Sequence, residues 1–314
     1  MTAAQLLCAG LMDALIGDPR WFPHPVRLMG RMVTWYERWV GRRTLTAPLQ
    51  RVMGIVLALG LPVLVYFFTW LVIDWATRRD EILSSILVVL LAWTTLAARD
   101  LFDHALPVLH ALDTADLPSA RQAVSAIVGR DTERLSEPEI VRATVETLAE
   151  STADGIVAPL FYLVVGGPAL ALAFKAVSTL DSMVGHLDEH HRHLGWASAR
   201  LDDLANWLPA RLTGLLFVIS AAVSRQHPAQ AWKVFRRDAS KHQSPNSGRP
   251  EAAMAGALGV QLGGPSTYGG TRIERPRLGC PHVPLAPARI REALRLVAVT
   301  SVLALSLALG LTVR

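Results

Sequence analysis

The chain of 314 residues contains only two cysteines, Cys8 and Cys280, which lie far apart in the sequence. No Cys-x-x-Cys pair occurs, so neither a disulfide framework nor a cysteine-based zinc site is indicated. The sequence also lacks any Gly-x-x-x-x-Gly-Lys-Ser/Thr motif. A P-loop is therefore excluded, and any nucleotide must bind by other means. No internal repeat or low-complexity tract is evident.

Charged residues are also scarce, at 18% of the chain against 51% hydrophobic residues. This fraction of hydrophobic residues is higher than the core of a soluble protein requires, and most of the excess lies in long uncharged runs. The pattern predicts an all-α polytopic membrane protein with about five membrane segments, forming one domain over residues 1–314. The candidate segments are 52–73, 82–98, 156–174, 204–224 and 296–313.

The connecting segments predict the topology. Residues 18–51 and 225–295 are rich in arginine, so both should be cytoplasmic. Residues 99–154 should then also be cytoplasmic, with two or three helices. Gly166-Gly167-Pro168 interrupts one membrane segment and Pro209 another, so these two either cross fully or are broken or re-entrant. The apolar run Ala3 to Gly17 is short and contains Asp13, which indicates an interfacial or half-inserted helix and not a cleaved signal peptide.

Three carboxylates, Glu146, Glu150 and Asp154, precede the uncharged segment at i, i+4 and i+8 spacing. On a helix they share one face, where each like-charged i,i+4 pair costs about 0.2–0.5 kcal/mol. A divalent cation held by hard oxygen ligands would compensate them, and so would a cationic substrate or a facing arginine. A solvated acidic helix end is the structural alternative.

Two further polar groups lie at the edges of apolar segments. Lys175 and Asp181 follow the third segment, where they could bind phosphate and accept a proton, or only extend to the interface. Arg200, Asp203 and Asn206 lie at the start of the fourth segment, where ionisable groups are costly and usually functional. A structural ion pair between Asp203 and an arginine competes with that interpretation.

Histidines cluster between residues 186 and 193. His186 and His190 have i,i+4 spacing, and His191 and His193 follow. This pattern resembles a metal site, but histidines in a polar loop beside acidic residues are more often solvated. Metal binding here stays open.

The segment after Arg236 combines basic and hydroxyl side chains ahead of a predicted helix. Ser247 is a plausible helix cap, and Pro250 with Glu251 suits a first helical turn. Free backbone N–H groups and clustered cations favour an anion, most simply phosphate, whereas a capped helix with a basic loop is the structural alternative. The glycine-rich stretch Leu262 to Gly270 should be flexible enough to close over a ligand. The candidate phosphate-binding residues are Arg237, Lys241, His242, Ser244, Asn246, Ser247 and Glu251.

Five blocks in this order closely resemble the CobD/CbiB family of adenosylcobinamide-phosphate synthases. They are Asp13 to Pro19 with His24-Pro25-Val26 and Met29-Gly30, Glu146 to Tyr162, Lys175 to Gly185, Gly195 to Arg211, and Arg237 to Gly264. The resemblance implies a multi-pass enzyme of the cell (inner) membrane. It would join adenosylcobyric acid to aminopropanol phosphate, or a related amino alcohol, using ATP and Mg²⁺.

The chemistry of amide ligation then suggests a role for each group. Glu146, Glu150 and Asp154 would hold the metal, and Asp181 or Asp203 would accept the ammonium proton, with Glu150 also essential for turnover. Substrate and phosphate groups would contact Lys175, Arg200, Asn206 and the residues of the basic segment. A corrinoid transporter and a non-catalytic membrane sensor are the alternatives. Homo-oligomerisation or docking of other cobalamin-pathway enzymes stays open, and no nucleic-acid partner is expected.

Overall fold

A computed structural model describes residues 1–19, 21–41, 45–185 and 191–312. Within these ranges the fold is helical apart from one β-hairpin. The elements, in chain order, are α1 (Ala3–Ile16), α2 (Pro25–Gly41), α3 (Ala47–Thr77), α4 (Glu81–Trp93), α5 (Ala98–Asp113), α6 (Leu117–Ser125), α7 (Glu137–Thr152), a π-helical turn (Ala153–Val157), α8 (Ala158–Val184), α9 (Trp196–Ala205), α10 (Trp207–Val223), α11 (Pro228–Asp238), a 3₁₀ turn (Ala239–Lys241), α12 (Gly248–Leu258), β1 (Gln261–Tyr268), β2 (Thr271–Gly279) and α13 (Pro287–Thr312).

These elements form two compact units built from alternating parts of the sequence. The first unit comprises Met1–Ala97, Ala158–Asn206 and Leu307–Arg314, and the second comprises Ala98–Val157 and Trp207–Ser306. The first unit has a core in which α2, α3 and α8 pack together through apolar side chains, among them Val33, Leu57, Leu61, Leu172 and Leu180. The second unit contains the hairpin and most of the buried charge.

In the described part of the chain, four helical stretches are long and apolar enough to cross a membrane: Ala47–Thr77, Glu81–Asp113, Glu137–Val184 and Pro287–Thr312. The bent pair α9 and α10 makes a fifth if it forms one span. This confirms the predicted all-α polytopic class and the count of about five segments. The helices are longer than the predicted uncharged runs, because they continue into polar residues at their ends. Helix α13, for example, begins at Pro287, whereas the predicted segment begins at Leu296.

Side-chain hydrogen bonds cap the starts of α6 and α7. The Asp116 carboxylate accepts a hydrogen bond from the Ser119 N–H (3.1 Å) at the start of α6. At the start of α7, the Glu139 carboxylate accepts from both the backbone N–H (2.8 Å) and the hydroxyl (2.6 Å) of Ser136. Such contacts satisfy donors that a helix N-terminus leaves unpaired. The three helices α5, α6 and α7 confirm the helical content predicted for residues 99–154.

Two irregularities interrupt the long helical stretch Glu137–Val184. Gly166 and Gly167 have non-helical dihedral angles, with φ of −145° and +65°, so α8 is broken where the sequence predicts. Asp154 and Gly155 lie in the π-helical turn, through which the helix continues. A π-helical turn inserts an extra residue and often occurs at a functional site. It alters the one-face spacing that a regular α-helix gives to Glu146, Glu150 and Asp154.

The prediction of a flexible glycine-rich loop is wrong, because that stretch forms β1 of the antiparallel hairpin. The pairing runs from Gln261 opposite Gly279 to Tyr268 opposite Thr271, with a bulge at Gly263. The Asp131 carboxylate accepts hydrogen bonds from the N–H groups of Gly269 (3.0 Å) and Gly270 (2.8 Å). The hairpin is therefore fixed at its turn by a side chain from outside the hairpin.

Candidate functional site

Six ionisable side chains of the second unit meet in what we call the buried charge cluster: Arg130, Arg142, Glu146, His242, Glu251 and Arg275. They come from the loop before α7, from α7 itself, from the segment after the 3₁₀ turn, from α12 and from β2. Glu146 is 2% exposed and Glu251 is fully buried. Buried charges at this depth require partners, so the contacts decide what the cluster can do.

Glu146 lies at the centre of the cluster. Its Oε2 accepts a hydrogen bond from Arg130 Nη2 at 2.5 Å and from Arg275 Nη1 at 3.3 Å, and its Oε1 accepts from the Gly263 N–H at 2.7 Å. Arg142 Nε lies 3.9 Å from Oε1. Charge-assisted bonds of this kind are short and strong. Glu146 therefore serves as a shared counter-ion for three guanidinium groups.

Arg142 attaches the hairpin to α7. Its Nη1 donates to the Gly263 carbonyl at 2.6 Å, and its Nη2 donates to the Pro265 carbonyl at 2.7 Å. Gly263 has a φ of +79°, and a Cβ atom added there would lie 2.0 Å from the Pro276 carbonyl oxygen. Only glycine fits the bulge, which turns one N–H toward Glu146.

Glu251, His242 and Arg275 form the second part of the cluster. Arg275 Nη2 lies 3.4 Å from Glu251 Oε1 and 2.8 Å from His242 Nε2. Burial raises the pKa of the Glu251 carboxyl well above its ordinary value, and the nearby Glu146 carboxylate adds to that shift. This shift favours the protonated form of Glu251, whose Oε2 has no hydrogen-bond partner among the described residues.

Both ring nitrogens of His242 have partners. Nε2 lies 2.8 Å from Arg275 Nη2, and Nδ1 lies 3.0 Å from the backbone nitrogen of Ser244 and 3.3 Å from its carbonyl oxygen. Burial lowers the pKa of His242, and the positive charge of Arg275 acts in the same direction. With both ring nitrogens engaged, His242 orients Arg275 and the following turn and does not serve as a free base.

A second, more exposed group surrounds Asp238 at the end of α11. Arg237 Nε and Lys241 Nζ lie 2.7 Å and 2.6 Å from Asp238 Oδ1, while Asp238 Oδ2 accepts from Arg237 Nη2 at 2.6 Å and from the Gly279 N–H at 2.9 Å. Burial opposes ionisation of Asp238, but these bonds outweigh it and hold its pKa well below the ordinary value. Asp238 thus positions two cations whose side chains stay about half exposed.

One contact joins the acidic block to the basic segment. The Ser247 hydroxyl donates to Glu150 Oε1 at 2.7 Å. Ser247 occupies the position before α12, as predicted, but its hydroxyl does not cap the helix. The Ser244 hydroxyl oxygen instead accepts from the N–H groups of Asn246 and Ser247, each at 3.2 Å, and Asn246 is buried. Glu150 of α7 therefore contacts Ser247 at the start of α12, and Ser244 bonds to the same turn.

The predicted three-carboxylate metal site is not assembled. Among the described residues, no group of three or more histidine, cysteine, aspartate or glutamate side chains could hold a metal ion. Glu146 is instead compensated by arginines, which was the sequence alternative to a metal. Glu150 is exposed, and its Oε2 has no hydrogen bond to a described residue, so a role for Glu150 as a ligand stays a prediction.

Five of the predicted residues belong to the first unit. Arg200 Nη1 lies 3.7 Å from Asp203 Oδ2, which is the predicted structural ion pair, and Asn206 Nδ2 lies 3.1 Å from both oxygens of Asp202. Lys175 and Asp181 lie near the end of α8. Their roles in binding and catalysis stay predictions, and the other predicted site residues all belong to the second unit.

The histidine cluster is only partly described. His186 and His190 lie outside the described residues. His191 Nε2 lies 2.9 Å from Glu37 Oε1, so a carboxylate partner holds this ring. The Nδ1 atom of His193 is buried and has no hydrogen-bond partner among the described residues. The prediction that these histidines bind a metal stays untested.

Sequence reasoning missed Arg130, Arg142 and Arg275. Arginines are frequent in the loops of this chain, and nothing in the local sequence distinguishes these three. The one usable signal was the repulsion between carboxylates at i,i+4 spacing, which requires a counter-charge from elsewhere in the chain. Spacing alone does not say which arginines supply it.

Comparisons with known proteins agree with this architecture. The family model described as CobD/Cbib protein matches residues 6–297. A cobalamin biosynthesis protein CobD from Geobacter metallireducens is 48% identical over 293 residues, covering 93% of this chain and 91% of that protein. The CobD protein of Klebsiella pneumoniae is 44% identical over 310 residues, 99% of this chain and 97% of its own.

A further relative carries the second family name. The cobalamin biosynthesis protein CbiB of Salmonella typhimurium is 43% identical over 307 residues, covering 98% of this chain and 96% of that protein. No solved structure is significantly similar to this chain. The family match and the relatives cover both units, including the buried charge cluster and the basic segment. The chain therefore belongs to the CobD/CbiB family of cobalamin biosynthesis proteins.

Proposed function

We propose that this protein joins a carboxylate of adenosylcobyric acid to the amine of (R)-1-amino-2-propanol O-phosphate, or a related amino alcohol, in an ATP-dependent ligation that gives adenosylcobinamide phosphate. The observation that carries the proposal is the contact between Glu150 and Ser247. It brings an exposed carboxylate together with a hydroxyl-rich helix start, and Lys241 and Arg237 lie on the same segment of the chain. These are the groups that a reaction between two anionic substrates and a nucleotide requires.

The ligation has two steps. A substrate carboxylate oxygen attacks the γ-phosphorus of ATP, which forms an acyl phosphate and releases ADP. The amine nitrogen then attacks the acyl carbon, and inorganic phosphate leaves as the amide bond forms. The ammonium group must first lose a proton to a base. Asp181 or Asp203 is the proposed base.

The residues of the second unit fit the charge requirements of the first step. Mg²⁺ commonly takes one or two protein carboxylates together with substrate phosphates, so an exposed Glu150 suits a metal that enters with the nucleotide. Such a metal would neutralise phosphate charge and polarise the transferring group. Lys241 and Arg237, held by Asp238, are about half exposed and would bind phosphoryl oxygens.

The start of α12 suits the phosphate of the amino alcohol. The Ser244 hydroxyl accepts from two backbone N–H groups and still has its own proton to donate to an anion, which the positive end of the helix also favours. Arg275 contacts Glu251 of α12 and, with Arg130 and Arg142 around Glu146, contributes positive charge from a buried position. We therefore assign the basic segment to the phosphorylated amine and the Glu150 side to the nucleotide and its metal.

The test is product formation by purified full-length protein in nanodiscs, supplied with adenosylcobyric acid, aminopropanol phosphate, ATP and Mg²⁺. We expect adenosylcobinamide phosphate, identified by mass spectrometry, together with an equal amount of ADP. Protein that binds the corrinoid but forms neither product nor ADP would contradict the proposal and favour a sensor. Flux of labelled corrinoid into proteoliposomes, without product, would favour a transporter.

Two variants test the assignment of residues. Lys241→Ala should raise the KM for aminopropanol phosphate, whereas Lys233→Ala, which removes an exposed lysine from α11, should not. Glu150→Ala should abolish turnover, whereas Glu137→Ala removes the same charge from the exposed start of α7 and should leave turnover unchanged. Normal turnover of Glu150→Ala would refute its role.

A further inference from the structure

Helix α2 of the first unit presents a charged face that the proposed reaction does not use. Its buried side chains, Met29, Val33 and Val40, recur at helical spacing and pack inward. Arg31 and Arg38 lie on the opposite face and are exposed. Neither arginine makes an ion pair or hydrogen bond with any residue that the structure describes. Two cations are thus displayed together on one helix.

Large apolar side chains flank these arginines. Leu28 is 60% exposed, Trp35 is 66% exposed and Trp39 is 39% exposed, and all three lie along one edge of the arginine face. An open cavity of about 710 Å³ runs along this face, and Arg31, Arg38, Trp35, Trp39 and Met183 are among its lining residues. Exposed tryptophans beside arginines are unusual on a helix surface that faces only water, and such apolar patches often mark an interaction site.

The position of α2 relates this face to the membrane. The Tyr36 hydroxyl donates to the Met53 carbonyl oxygen at 3.0 Å, close to the start of α3. Because α3 is a candidate membrane span, α2 lies at the level where that span begins. Tryptophan is enriched at this level, and arginine side chains extend from it to lipid phosphates.

Helix α1, in the same unit, also exposes apolar side chains. Leu11, Leu15 and Ile16 are 49%, 76% and 53% exposed. A helix with exposed apolar side chains, followed by one with a basic face and flanking tryptophans, has the composition of an interfacial, lipid-contacting region. The charge sign selects which lipid contacts it, since only an anionic headgroup complements two unpaired arginines.

We propose that the face of α2 formed by Arg31, Arg38, Trp35 and Trp39 binds the headgroup of an anionic phospholipid. The two guanidinium groups contact the lipid phosphate, and the indole rings and Leu28 lie against the upper part of the acyl chains. This inference does not depend on the ligase reaction. It assigns to α2 a lipid site at the membrane surface.

The experiment titrates detergent-solubilised full-length protein with phosphatidylglycerol and counts bound lipid by native mass spectrometry. The variant Arg31→Gln/Arg38→Gln should weaken phosphatidylglycerol binding by about thirtyfold, since each arginine near an anionic surface contributes about fivefold. The matched control Arg78→Gln/Arg79→Gln removes two arginines that follow the other end of α3, and it should retain the affinity of the unmodified protein. Arg31→Lys/Arg38→Lys keeps both charges and should retain most of the binding.

Unchanged phosphatidylglycerol affinity in Arg31→Gln/Arg38→Gln would overturn the proposal, as would equally tight binding of phosphatidylcholine to the unmodified protein. A raised KM for aminopropanol phosphate with unchanged lipid affinity would assign the face to a soluble anion and also overturn it. If Arg31→Gln/Arg38→Gln does not fold, the unmodified protein decides the question. Its phosphatidylglycerol affinity should fall as NaCl rises from about 0.05 M to about 0.5 M, and salt-independent binding would refute the proposal.

Discussion

Glu146 and Glu150 are one helical turn apart on α7, and the structure gives them opposite roles. Replacing Glu146 by alanine removes the counter-ion shared by Arg130, Arg142 and Arg275 and leaves these charges uncompensated inside the protein. Breaking a buried ion pair from one side costs about 3–5 kcal/mol. Glu150 is exposed and makes one hydrogen bond, to Ser247, so its removal should cost about 1 kcal/mol or less.

The assay compares the apparent melting temperature of each variant, at one fixed scan rate in the same detergent, with its Mg²⁺ requirement. For a unit of this size, about 3–5 kcal/mol corresponds to a decrease of roughly 6–20 °C. We expect Glu146→Ala to show that decrease with an unchanged apparent KM for Mg²⁺ in whatever protein stays folded. Glu150→Ala should melt near the unmodified protein and lose turnover.

The conservative variant Glu146→Gln separates charge from shape. Its amide oxygen can still accept the Gly263 N–H, but its negative charge is gone, so its melting temperature should fall between those of the unmodified protein and Glu146→Ala. A Glu146→Ala protein that melts normally and needs more Mg²⁺ would refute this reasoning. It would show that Glu146 binds a metal and that its contacts with the arginines contribute little.

Three further predictions concern the surroundings of the site. Gly263→Ala should lower the melting temperature strongly, because a Cβ atom would lie 2.0 Å from the Pro276 carbonyl oxygen. In the control Gly269→Ala, the added Cβ has no atom within 4 Å. Its cost should be only the backbone strain of a positive φ, about 1 kcal/mol. Folding raises the pKa of the Glu251 carboxyl above its ordinary value of 4.5. Above that pH the unfolded chain releases this proton more readily than the folded protein does, so the free energy of unfolding falls as the pH rises. Glu251→Gln should reduce this decline in melting experiments run at a series of pH values above 4.5. Asp238→Asn should raise the KM for aminopropanol phosphate while ATP-independent corrinoid binding stays normal, because Arg237 and Lys241 lose the anion that positions them.

The membrane segments and most helix starts were predictable because their causes are local. An uncharged run is visible in the sequence, and so is a cap such as Ser136 with Glu139. The ends of the spans were less predictable, since polar residues at helix ends look like loops. Pro287 to Arg295 shows this, because its arginines hide a helix that the apolar run alone does not include.

The hairpin was not predictable because its causes lie outside it. Its first strand is rich in glycine and its second in arginine, so neither shows apolar alternation. Arg142 bonds to the bulge and Asp131 bonds to the turn, and both residues lie more than a hundred positions before the hairpin in the sequence. The same long-range pairing explains why the arginines around Glu146 escaped prediction.

The charge balance of the cluster bears on where a metal can bind. Three guanidinium groups face two carboxylates, Glu146 and Glu251, and burial raises the pKa of Glu251, which favours its protonated form. Turning Glu146 toward a metal would add positive charge to an already positive interior and remove the carboxylate that Arg130, Arg142 and Arg275 share. The cost of about 3–5 kcal/mol for an unpaired buried charge would oppose it. A metal at Glu150 avoids that cost, because the carboxylate is at the surface and the nucleotide brings its own negative charge. The positive interior then favours the anionic substrates, which argues for phosphate and metal meeting at the Ser247 side of α12.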